Sequence, residues 1–108
     1  MSSKQFIYIW RYTIVPRHRA EFLAAYRPGG DWTELFARDA AYIETQLLQD
    51  VDDSNRFITI DIWKSKADRD AFREQYYQEF EDLDRKCEAF TQQESFLGDY
   101  LEIDGPAT

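Results

Sequence analysis

An α+β domain built on one antiparallel sheet is the fold this sequence predicts, and three observations carry the prediction. Four stretches rich in β-branched and aromatic residues read as strands, longer stretches between them repeat their apolar residues at helical spacing, and the two kinds follow in the order strand, helix, strand, strand, helix, strand. With 108 residues there is room for one core, so the chain, 1–108, reads as a single domain with an ordered centre from about residue 6 to 103.

The first strand is FIYIWRYTIV, Phe6 to Val15, apolar on both faces. Alternation sends Phe6, Tyr8, Trp10, Tyr12 and Ile14 one way, and Ile7, Ile9, Arg11, Thr13 and Val15 the other. Pro16 suits the first turn of a helix in which Phe22, Leu23 and Tyr26 recur at helical spacing. Pro28, Gly29 and Gly30 then break that helix, and Asp31 with Glu34 is a capping-box pattern that opens a second, short one carrying Trp32, Leu35 and Phe36 on one face. A second strand, Tyr42 to Val51, turns through VDDSN into a third, Arg56 to Lys64. In the third strand Ile58, Ile60 and Ile62 share one face, and Phe57, Thr59, Asp61 and Trp63 the other. Ser65 is positioned to cap a long helix over 66–90, whose Phe72, Tyr76, Phe80, Leu83, Cys87 and Phe90 repeat at steps of four and three. The last strand is ESFLGDYLEI, 94–103, with a frayed DGPAT tail behind it.

The order β-α-β-β-α-β is the ferredoxin-like arrangement, two interlocked right-handed crossovers that put both helices on one face of an antiparallel sheet. The other face here is aliphatic, so it needs cover, and a second copy of the chain is the simplest supply.

Charge and composition remove several functions. A formal net charge of -8 repels phosphate backbones, so nucleic acid is not an expected partner. No apolar run is long enough to span a membrane, and MSSKQ lacks the apolar region of a secretory signal, so a soluble, cytoplasmic protein is expected. The single cysteine, Cys87, reads as a buried structural thiol. No metal-ligand spacing, phosphate-binding glycine loop or nucleophile elbow occurs, so no cofactor and no metal are expected. His18, flanked by Arg17 and Arg19 with no Asp or Ser at suitable spacing for a triad, reads as a solvated residue. What is left over is aromatic: at 17%, Phe, Tyr and Trp exceed what one small core asks for, which leaves rings for a pocket or a subunit interface.

With this element order, the stretch IWKSKADRDAF, 62–72, joining third strand to long helix, resembles the antibiotic biosynthesis monooxygenase family over nearly the whole chain. The resemblance implies a dimeric α+β barrel, two sheets face to face, with a ligand pocket between each sheet and its own helices. It implies a cofactor-independent monooxygenase acting on a small aromatic or polyketide-like molecule, or else a non-catalytic small-molecule-binding or accessory dimer of the same fold. In the haem-degrading branch of the family an Asn on the first strand, a Trp ending the third and a His on the second helix form the site. Here Trp63 matches the Trp, Trp10 stands at the Asn position, and the second helix has no histidine.

If Trp63 faces the helices as the resemblance implies, alternation brings Asp61 and Thr59 to the same pocket face. A carboxylate among aromatics on a central strand loses hydration, which raises its pKa towards the range of a general base. Asp61 and Trp63 are therefore the expected catalytic pair. Tyr8, Trp10 and Tyr12 from the first strand, Trp32 and Phe36 from the short helix, Thr59, and Phe72 and Tyr76 from the long helix are the expected substrate-binding residues.

Overall fold

In a computed structural model that describes residues 4–103, four strands form one antiparallel sheet in the order β2-β3-β1-β4. The strands are β1 (Phe6–Ile14), β2 (Tyr42–Gln49), β3 (Arg56–Trp63) and β4 (Thr91–Leu101), and the α-helices are α1 (Arg19–Tyr26), α2 (Asp31–Phe36), α3 (Lys66–Gln75) and α4 (Tyr77–Cys87). The ferredoxin-like α+β fold expected from the sequence is the fold observed. The tail DGPAT lies outside the described residues.

The alternation of β1 and β3 sets the architecture. Phe6, Tyr8, Tyr12, Ile14, Phe57, Thr59, Asp61 and Trp63 are all buried on the helix-covered face. On the opposite face Ile7, Ile9, Ile58 and Ile60 are half-buried. Antiparallel register places Tyr8 opposite Asp61 and Trp10 opposite Thr59, while on the other side of β3 Thr45 of β2 is opposite Asp61. A bulge between Tyr42 and Glu44 sets the face that Thr45 presents, and another in β4 brings Phe96 beside Trp10, their ring centres 5.2 Å apart.

Two local expectations are corrected. The long helix over 66–90 is two helices broken at Tyr76, with Glu88–Phe90 a separate 3-10 turn. At Tyr76 the backbone leaves the α region (φ −109°, ψ 31°), and the two halves meet different partners: α3 packs on β3, and α4 packs on α2. Helix α2 also starts differently from the expected capping box. Asp31 is its first residue rather than its cap, the cap is Gly30, and no side chain bonds there. Thr33 closes the turn instead, accepting from the Gly29 N–H at 2.8 Å and donating to the Gly30 carbonyl at 3.1 Å. Gly29 turns with φ +84°, and a Cβ on Gly30 would collide with the carbonyls of Ala24 and Arg27. The Pro28-Gly29-Gly30 break thus lets α2 fold back tightly on α1 and carries Trp32 in over α4, where its ring meets Phe80 edge-on at 5.0 Å.

Candidate functional site

The site begins with Asp61, near the middle of the sheet. Its side chain is 6% exposed, and Thr45 Oγ1 donates to Asp61 Oδ1 at 2.5 Å. Thr45 in turn accepts from the Tyr42 hydroxyl at 2.7 Å. This relay across β2 and β3 holds one carboxylate oxygen in place. Burial pushes the Asp61 pKa from 3.8 up to about 6, while the Thr45 bond and the charge of Arg73 hold it back from rising further. At neutral pH such a group is mostly ionised yet close enough to its pKa to accept a proton.

Asp61 opens into a cavity of about 260 Å³ between the sheet and the helices. Since about 150 Å³ already houses one benzene ring, there is room for a fused-ring molecule. Of the expected site residues, Tyr8, Trp10, Tyr12, Trp32, Phe36 and Thr59 line this cavity together with Asp61. The Thr59 and Tyr12 hydroxyls are 3.5 Å apart. Burial raises the Tyr8 and Tyr12 hydroxyls well above their ordinary range, and the charge of Asp61 adds to the effect, so both stay protonated and able to donate.

Three expected residues are not on the wall. Trp63 is 0% exposed, and its ring packs on Phe36, Tyr42 and Phe72. Those three rings enclose it, and it meets the cavity-lining Phe36 edge-on at 5.7 Å. Phe72, 1% exposed, belongs to the same cluster, and half-buried Tyr76 lies at the helix break, 5.1 Å from the Phe72 ring.

The cavity also holds residues outside the expected set: Tyr26, Thr45, Phe80, Arg73, Asp84 and Glu94. Tyr26 and Phe80 were visible as members of helical apolar stripes, but a stripe does not distinguish a packed ring from a wall. Thr45 depends on the β2 bulge, which has no signature in the local pattern. Arg73 follows Phe72 on α3 and turns its guanidinium between the rings of Tyr8, 5.6 Å, and Phe80, 5.2 Å. Half-buried Asp84 and the exposed Glu94 come from α4 and β4. Burial, together with neighbouring carboxylates, raises the pKa of both. His18 stands apart from the cavity, bonded to Glu21 at 2.6 Å. Among the described residues no cluster of His, Cys, Asp and Glu could hold a metal ion, and no helix is long and apolar enough to cross a membrane.

Fold and cavity together define an α+β domain with an aromatic-lined cavity between its sheet and its helices. The antibiotic biosynthesis monooxygenase model matches residues 6–83, and the chain belongs to that family. Among solved structures it is similar to PA3566 from Pseudomonas aeruginosa, at 21% identity and a TM-score of 0.70, covering 96% of this chain and 99% of that one. It is similar as well to SnoaB, a cofactor-independent oxygenase from Streptomyces nogalater, at 16% identity and a TM-score of 0.68, covering 96% of each chain. A conserved protein from Methanosarcina mazei aligns at 12% identity and a TM-score of 0.69, covering 92% of this chain and 93% of that one. At these identities the structural likeness speaks for the fold alone. No functionally curated protein matches the sequence.

Proposed function

We propose that this protein is a cofactor-independent monooxygenase that oxidises a small aromatic or polyketide-like molecule bound in the cavity. One observation carries the reading: a carboxylate 6% exposed, its pKa raised to about 6, faces an aromatic cavity that holds no basic group other than an arginine. In this chemistry the protein removes a proton from an electron-rich phenol or an activated methylene, and the resulting anion supplies the electrons that reduce dioxygen. For a methylene, two hydrogens leave carbon, one oxygen atom of dioxygen becomes the new carbonyl and the other leaves as water, so atoms and electrons balance without a further reductant. Asp61 takes the proton, Trp10 and Trp32 are flat walls for the ring system, and the Tyr8 and Tyr12 hydroxyls donate to its oxygens. The raised pKa gives the dependence its sign: protonation of Asp61 as pH falls through about 6 removes the base.

The same reading includes a homodimer in which the half-buried Ile7, Ile9, Ile58 and Ile60 meet their counterparts across a two-fold axis. Such a pairing covers a face that a lone domain leaves to water.

Oxygen uptake with an anthrone or quinol, compared between the wild type and Asp61→Asn, tests the enzymatic reading. Uptake that depends on Asp61 supports it. Equal rates would remove Asp61 from the mechanism, and a ligand that co-purifies and is returned unchanged after incubation in air would favour a binding protein.

A further inference from the structure

Two arginines one helical turn apart on α3 both lie over the ring of Tyr8, and their surroundings differ. Arg69 is 6% exposed and its Nε donates to Asp70 at 2.9 Å, so its charge is matched within its own helix. Arg73 lines the cavity, its Nε is buried without a hydrogen-bond partner, and among the described residues it forms no ion pair. Asp61 lies near enough for the two charges to influence one another, yet the carboxylate bonds to Thr45 and not to Arg73. A buried donor on a cation without an acceptor is costly, and an oxyanion in the cavity supplies the acceptor.

The other charges around the cavity decide which anions can reach that donor. Asp84 of α4 and Glu94 of β4 line the cavity together with Asp61 of β3, Glu94 exposed and Asp61 buried. The remaining titratable groups on the wall are the hydroxyls of Tyr8, Tyr12 and Tyr26, all held protonated by burial. A ligand that arrives already charged meets three carboxylates against one guanidinium, on a chain of net charge -8. A neutral weak acid meets no such barrier and can lose its proton once inside.

We infer that Arg73 is the anion-binding group of the cavity, and that the protein selects uncharged phenols or enols that ionise only after entry. The inference rests on the proposed oxygenase reading and deepens it by naming the substrate class. The O–H bond of the bound phenol or enol breaks, the proton passes to an oxygen of Asp61, and the electron pair stays on the substrate oxygen facing Arg73. Permanently charged carboxylates of the same shape are excluded.

Titration calorimetry and absorption spectra with 4-nitrophenol, whose anion is yellow, and 4-nitrobenzoate, its permanently charged counterpart, test this. The wild type binds 4-nitrophenol at least about tenfold more tightly than 4-nitrobenzoate. At a pH about one unit below the probe's own pKa, the bound phenol is yellow in the wild type and in Arg73→Lys, and loses most of that colour in Arg73→Gln. Equal binding of the two probes by the wild type overturns the selection for neutral ligands and needs no variant. An unchanged spectrum in Arg73→Gln overturns the role of Arg73. The nitro group withdraws the electron density that reduction of dioxygen requires, so the colour of 4-nitrophenol reports anion binding separately from oxygen uptake. Absent oxygen uptake with the colour intact sinks only the oxygenase reading; normal uptake with the colour unchanged by Arg73→Gln sinks only this one.

Discussion

On the helix-covered side of β3, Thr59 and Asp61 are 3% and 6% exposed, whereas Ile58 and Ile60, their neighbours in the same strand, are half-buried on the opposite side. The polar residues are thus the better buried and the aliphatic ones the worse. Ordinary core formation would reverse this order, since isoleucine gains from burial and a carboxylate loses by it. The covered face tolerates Asp61 because Thr45 bonds to it and Arg73 lies nearby, and the burial that remains uncompensated is expressed in its raised pKa. The open face has no such internal solution, and in the proposed homodimer a second copy covers it. Under the proposed function, one strand then serves two ends through a period of two, chemistry on one face and association on the other.

The largest expected effect comes from putting a charge on the open face. Ile60→Lys buries an unpaired ammonium in the proposed interface, costing several kcal/mol per copy and doubled by two-fold symmetry. Sedimentation should show a wild-type dimer at micromolar concentration and a monomeric or aggregated variant; a folded wild-type monomer would break the contrast between the faces.

Next comes the covered face. Asp61→Asn keeps an acceptor for Thr45 and loses the base, so kcat should fall by about 10²–10⁴. Its stability should move the other way. The folded pKa of about 6 lies above the ordinary 3.8, so the stability Asp61 contributes is fully present below the lower value and is lost as pH rises through the higher one. A tenfold change in proton affinity corresponds to about 1.4 kcal/mol, so the asparagine variant should gain up to about 3 kcal/mol at pH 8 and nothing below about pH 4. Denaturant melts at the two pH values measure this, and a variant less stable than wild type at pH 8 would mean that Asp61 is compensated in the fold.

Thr45→Val removes the bond that holds the Asp61 pKa down. The acidic limb of the activity profile should move upward by about one pH unit. An unmoved limb would assign that limb to another group, with Asp84 and Glu94 on the cavity wall the first to test. The smallest effect belongs to the junction that aims α3 at the cavity: Ser65 Oγ accepts from the Asp68 N–H at 3.1 Å, and Ser65→Ala should cost about 1 kcal/mol in thermal or chemical unfolding.

What the sequence determined by itself follows from short-range periodicity. Alternation in FIYIWRYTIV and RFITIDIW sorts each strand's residues onto two faces without knowledge of anything else, which groups Thr59 with Asp61 and Tyr8 with Tyr12, while the expectation that both groups share one wall came from the family resemblance. Helical spacing likewise found the apolar stripes of α3 and α4, but not the break at Tyr76, where the two halves turn to different partners, β3 and α2. Tertiary structure alone decided which buried rings are core and which are wall. Trp63 and Trp10 are both aromatic residues on sheet strands, yet one is enclosed by Phe36, Tyr42 and Phe72 and the other faces the cavity, because enclosure depends on neighbours distant in sequence. The partners of Asp61 belong to the same category. Thr45 reaches it through a strand pairing shifted by a bulge, and Arg73 through the packing of a helix across the sheet, and neither relation leaves a periodic trace in the chain.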